Sequence, residues 1–160
     1  HWLFGYALSQ IEVMLHRESI VHSMVVFPDG SVKAQLGTPD MRVPLQFALT
    51  YPQRWASQAA PLDLVAAGSL SFGVVDYDRY PCLKLALQAA YDGDTYPAVL
   101  SAADEEAVHL FLQGRIGFTE IHQRVDEALQ RHQSTPNPTL DDVLEADAWA
   151  RRHVTLSLAV

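Results

Sequence analysis

Two rhythms of hydrophobic spacing divide the chain. From Gln10 to Leu36 apolar and polar residues tend to alternate, the period of a half-buried strand. From Tyr80 onward apolar residues recur every three or four positions, the period of a helix. Ser19 to Phe27 predicts a strand, because Ile20, Val21, Val25, Val26 and Phe27 are β-branched or aromatic. Alternation puts Ile20, His22, Met24 and Val26 on one face and Val21, Ser23, Val25 and Phe27 on the other. Pro28-Asp29-Gly30 supplies a turn, and Ser31 to Leu36 returns as the partner strand. Gln10 to Leu15 alternates in the same way, and His16 to Ser19 turns it into the His22 strand. The expectation is a three-stranded antiparallel meander ending near Gly37. Ahead of it, Trp2, Leu3, Tyr6 and Ala7 share a stripe that suggests a helix end, weakened by Gly5.

Gly37-Thr38-Pro39-Asp40 interrupts the pattern and delivers Met41 into an exposed loop. Pro44 to Leu49 has the length of a short helix. Gln53 to Ser69 carries Pro61 and many alanines without a sustained period, and reads as a connector. Four helices follow. Pro81 suits a first helical position, and Leu83, Leu85, Ala86 and Ala90 run to a stop at Gly93. Ser101 caps the second, with Asp104 behind it and Val108, Leu110, Phe111 and Leu112 leading to Gly114. Thr119 opens the third, striped by Ile121, Val125, Ala128 and Leu129. Thr139 caps the fourth, with Asp141 and Asp142 in its first turn and Val143, Leu144, Ala146 and Ala150 inward. The fold class is α+β: a short antiparallel β-meander (1–50), a connector (51–75) and a small C-terminal four-helix bundle (76–160).

Composition narrows the class. At 160 residues with 49% hydrophobic and 19% charged residues, the chain can bury a core. No apolar run is long enough for a bilayer, and nothing resembles a signal peptide. One cysteine rules out an internal disulfide and fits a reducing compartment. The net charge of −8 arises entirely beyond residue 60, where seven basic residues face fifteen acidic ones. That acidity disfavours nucleic acid and anionic membrane as partners. His1 is not an initiator methionine, and the apolar pattern is already running by Trp2, so the chain reads as the C-terminal part of something longer.

The polar residue that needs explaining is His22. Two descriptions fit it: a core imidazole bonded to a carbonyl, or a site residue. The strings SQIEVMLHRESIVHSMV, DGSVKAQLGTPDMR and DYDRYPCLKLAL bear on the choice. In order and in register, from Trp2 to about Trp149, they resemble the 1-deoxy-D-xylulose 5-phosphate reductoisomerases, NADPH-dependent enzymes of the non-mevalonate isoprenoid pathway.

The resemblance implies the last part of a catalytic domain, then a helical domain. The reaction it implies rearranges the sugar phosphate to a branched aldehyde phosphate, which NADPH reduces to 2-C-methyl-D-erythritol 4-phosphate. It also implies a divalent metal (magnesium, manganese or cobalt) whose ligands, like the NADPH-binding turn, lie outside this sequence. Neither group is expected to bind tightly to this chain alone, and no turnover is expected from it alone. By the same resemblance His22 is the catalytic candidate, orienting substrate near its phosphate and hydroxyls, while Ser19 lines the pocket. Pro39 and Met41 match positions beside the nicotinamide. The turn here reads HRES where the family usually has HPQS, and SAADEE replaces an NAANE-type helix opening. A homodimer in the cytoplasm is implied.

Two readings of other classes stand beside this one. The first is a non-catalytic dimerisation or protein-interaction module. The second is a metal hydrolase on Glu105 and His109, which have helical i,i+4 spacing but no third ligand. His16 is expected to be structural or solvated, and Cys82 a buried core residue.

Overall fold

In the computed structural model, which describes residues 1–156, the hairpin forms where its turn residues direct it. A two-residue strand, β1 (Met14–Leu15), precedes it; β2 (Val21–Val26) and β3 (Val32–Leu36) pair antiparallel around residues 27–31. Asp29 Oδ1 accepts the Ser31 N–H at 2.9 Å and its hydroxyl at 2.6 Å, while Gly30 takes a φ of +83°. Only glycine adopts that φ without steric cost. Next come α1 (Arg42–Thr50), α2 (Leu64–Ala67) and β4 (Gly73–Val74). Asp63 caps α2, its carboxylate accepting the N–H groups of Val65 and Ala66.

The α+β class holds, but the three-stranded meander does not form. β1 pairs instead with β4, Met14 opposite Val74 and Leu15 opposite Gly73, leaving two separate two-stranded sheets. The strand expected from Gln10 shrinks to its last two residues because a 3₁₀ turn occupies Leu8–Gln10, where Gln10 Oε1 accepts the Ala7 N–H. Nor is there a helix end at the start. Gly5, at φ +69°, closes a turn onto the His1 carbonyl at 2.8 Å.

The chain divides into two compact units, residues 12–75 and residues 1–11 with 76–160. The stretch 51–75, expected as a connector, holds α2 and β4 and lies in the same unit as the hairpin. Within 12–75, Val75 is the single buried residue.

The other unit contains the bundle: α3 (Pro81–Asp92), α4 (Tyr96–Leu112), α5 (Glu120–Arg131) and α6 (Leu140–Leu156). The expected punctuation is largely observed. Pro81 starts α3, and Gly93 ends it at φ +69° with its N–H on the Ala89 carbonyl. Thr139 and Asp142 cap α6 reciprocally, the Thr139 N–H and hydroxyl donating to Asp142 and the Asp142 N–H donating to Thr139 Oγ1.

Helix α4 departs from expectation, since it begins at Tyr96, five residues before Ser101. Pro97 fits the first turn, where its missing N–H has no partner to lose. α4 is the central element and packs on α3, α5 and α6. Its Val99, Ala102, Ala103, Ala107 and Leu110 are buried against Ile121, Val125 and Ala128 of α5 and Ala146, Ala150 and Val154 of α6. The apolar stripe expected on α4 is therefore only partly inward. Leu110 is buried, but Leu112 is exposed, because three alanines supply the close-packed face.

Candidate functional site

The turn feeding β2 is built around one imidazole. The His16 side chain is 7% exposed, and its ring stacks on Phe72 with centroids 4.7 Å apart and planes 17° off parallel. His16 Nε2 accepts the Ile20 N–H at 3.1 Å, which puts the ring proton on Nδ1. Nδ1 donates to the Ser71 carbonyl at 2.8 Å, with Glu18 Oε2 at 3.0 Å. Glu18 in turn accepts the Ser71 hydroxyl at 2.7 Å and its N–H at 3.1 Å. The Ser71 hydroxyl is the main reason the Glu18 carboxyl titrates below its usual range. Between these anchors Ser19 is exposed and left-handed, at φ +51°, a conformation costly for a residue with a Cβ.

His22 sits at an irregularity. Val21 pairs with Leu36 but Ser23 pairs with Gln35, so His22 is the extra residue of a β-bulge. Strict alternation breaks there: Ile20, Val21 and Met24 are half-buried, while His22 and Ser23 are exposed. The core-imidazole description therefore does not apply to His22; the imidazole bonded to a carbonyl is that of His16, a half-buried residue with little of its side chain exposed. Beyond the bulge the Gly37 N–H donates to the Ile20 carbonyl at 3.0 Å, keeping Gly37 beside His22. A Cβ at position 37 would stand 3.6 Å from His22 Nε2.

Gly37 opens the loop that carries the other candidates. The Thr38 hydroxyl donates to the Ala60 carbonyl at 2.9 Å, and the Asp40 N–H to the Thr38 carbonyl at 2.8 Å. Asp40 takes the Arg42 N–H at 2.9 Å and the fork of the Arg42 guanidinium. Those bonds hold its carboxyl down at about 2. Pro39 is exposed on this braced loop, and Met41, 70% exposed, stands at the start of α1. The structure thus brings His22 to the base of the Pro39 and Met41 loop, with Ser19 in the turn ahead of β2.

Elsewhere the sequence expectations fare differently. Glu105 pairs with Arg151 at 2.6 Å, and His109 Nε2 with the Gln113 amide at 2.7 Å, so each already has a partner. Among the described residues no group of three or more His, Cys, Asp or Glu side chains could hold a metal ion. Cys82 is exposed, not a core residue, because it occupies the open first turn of α3. Partial burial and then Asp104 push its thiol up, away from a reactive thiolate. Among the described residues no helix is long and apolar enough to cross a membrane. What sequence reasoning missed is the bonding of His16, Glu18 and Ser71, since the serine lies more than fifty residues away.

A family profile described as the DXP reductoisomerase C-terminal domain matches residues 36–153. The chain belongs to the DXP reductoisomerase family. Among curated DXP reductoisomerases, the 1-deoxy-D-xylulose 5-phosphate reductoisomerase of Geobacillus kaustophilus is 56% identical over 155 residues, covering 96% of this chain and 41% of that protein. The protein of the same name from Moorella thermoacetica is 54% identical over 150 residues, covering 94% and 39%. The chain thus spans about two fifths of the length of the relatives it matches. The DXP reductoisomerase from Zymomonas mobilis, solved in complex with NADPH, superposes with a TM-score of 0.88 at 38% identity, covering 99% of this chain and 42% of that one. A DOX-P reductoisomerase solved with NADPH, fosmidomycin and magnesium gives 0.84 at 39% identity, over 91% and 38%.

Proposed function

We propose that this chain is the C-terminal part of an NADPH-dependent enzyme that converts 1-deoxy-D-xylulose 5-phosphate to 2-C-methyl-D-erythritol 4-phosphate. The observation that carries the reading is His22, exposed on a β-bulge against Gly37, at the base of the loop bearing Pro39 and Met41. An exposed imidazole can donate to or accept from a sugar hydroxyl or a phosphate oxygen at neutral pH. The Ser19 hydroxyl, exposed in its left-handed turn, is a second donor for the same ligand. Pro39 and Met41 offer an apolar wall for a flat nicotinamide, and the thioether adapts to a cofactor that must enter and leave.

NADPH supplies the hydride when bound. This chain contributes only that wall, since no glycine-rich dinucleotide turn is present. The described residues do not fit a metal site, so none of their roles is routed through one. The same reading takes the enzyme as a cytoplasmic homodimer pairing through the hairpin, whose Val25, Val26 and Val32 are more than half exposed.

The deciding experiment replaces His22 by alanine in the complete enzyme and follows NADPH oxidation with the sugar phosphate. A loss of about 10- to 1000-fold in kcat/KM is expected for a positioning or acid–base group. Near-normal kcat/KM would favour the non-catalytic interaction module.

A further inference from the structure

We propose that His16 is a positioning residue for the His22 site, acting through the peptide that enters β2. The inference rests on the function proposed above for His22.

Both ring nitrogens of His16 are committed in opposite directions. Nε2 holds the Ile20 N–H at 3.1 Å, two residues before His22, and Nδ1 holds the Ser71 carbonyl at 2.8 Å, beside β4. The ring's orientation is set by its stack on Phe72, and Glu18 doubles the tie by bonding Ser71 twice. Ile20 is the hub of the arrangement. Its N–H goes to His16, while its carbonyl takes the Gly37 N–H at 3.0 Å. One residue, through the two peptide groups on either side of its Cα, therefore links the His16 imidazole to the glycine that faces His22. Ser19, the other pocket candidate, is held left-handed within the same turn, its N–H on the His16 carbonyl at 3.3 Å.

A hydrophobic ring at position 16 could fill the space but would free the Ile20 N–H. The bulge that aims His22 would then lose the anchor on its N-terminal side. Supporting bonds of this kind hold functional side chains in register, and their loss is felt at the site they support.

The test is a double-mutant cycle in the complete enzyme, with His16→Phe and His22→Ala singly and together. His16→Phe is expected to lower kcat/KM for the sugar phosphate about tenfold or more, mainly by raising its KM, with the KM for NADPH unchanged. In the His22→Ala background the further loss should fall below about threefold, because the group being positioned is gone. His16→Gln, whose amide can both donate and accept, should recover part of the activity; it also carries the cycle if His16→Phe does not fold.

Equal fold-losses in both backgrounds would mean a general structural role and overturn the proposal, as would an unchanged kcat/KM for His16→Phe and His16→Gln beside a large loss for His22→Ala. If His22→Ala itself is silent, the function read from His22 fails first, and the positioning role falls with it.

Discussion

His22 Nε2 faces the bare Cα of Gly37, and a Cβ added there would stand 3.6 Å from it, an ordinary van der Waals contact. Gly37 has no left-handed φ, so alanine meets no backbone strain at that position. Gly37→Ala should therefore leave the fold intact or stabilise it by about 0.4–1 kcal/mol through the unfolded chain, measured by urea unfolding. Gly37→Val adds branches that push into the imidazole. It should lower kcat/KM of the complete enzyme by about tenfold, a misplacement effect.

The Asp40 and Arg42 pair predicts an acid-side effect. The folded carboxyl sits at about 2 against an ordinary 3.8, held down by the guanidinium, so the ionised form is favoured by folding. Its contribution is fully present above about 4 and is lost as pH falls toward 2. Thermal midpoints of the wild type and of Asp40→Asn should therefore differ most above pH 4 and converge near pH 2. A constant offset between the two would refute this account.

Inside the bundle, Thr95 is fully buried, with its hydroxyl 2.7 Å from His132 Nε2 and accepting the Thr135 N–H at 3.3 Å. Thr95→Val keeps the shape but strips His132, the Ser134 hydroxyl at 3.2 Å and the Thr135 N–H of their shared partner. The expected loss is about 1–3 kcal/mol of stability in denaturant unfolding.

Burial of His132 disfavours its charged form and lowers its pKa from the ordinary 6.5. A depressed histidine contributes stability that is present above 6.5 and lost as pH drops below it. Unfolding midpoints should decline from pH 7 to pH 5, and His132→Gln should flatten that slope. An unchanged slope would mean another group titrates there.

Ala107 of α4 has no exposed surface. Ala107→Leu overfills a close-packed helix contact and should cost about 1–3 kcal/mol, read from the urea midpoint. No loss would show that α4 has room its neighbours do not reveal.

Local chemistry was legible in the sequence. Pro28-Asp29-Gly30 turns the hairpin, Pro81 and Gly93 bound α3, and Thr139 with Asp142 caps α6, because each signal acts within a few residues of where it is written. The family, too, was readable, carried by long motifs in register with the relatives. The loop with Pro39 and Met41 stood out by its break in pattern, and His22 by its polarity among apolar neighbours.

Only the tertiary structure decided the rest. An alternating stretch states that a strand wants a partner but does not name it, so β1 could be matched with β2 when its mate is β4, more than fifty residues downstream. The bulge that turns His22 outward is a property of two strands in register, invisible in either one. For His16, expected to be structural or solvated, only the fold decides for the structural role, because its bond to Ser71 and its stack on Phe72 close a loop of more than fifty residues. The alanines of α4 are absent from its expected apolar stripe, and only the packing of α5 and α6 makes them its buried face. Period and turn chemistry are local quantities; pairing, register and burial depend on which distant segments meet, and that choice is made by the whole packed chain at once.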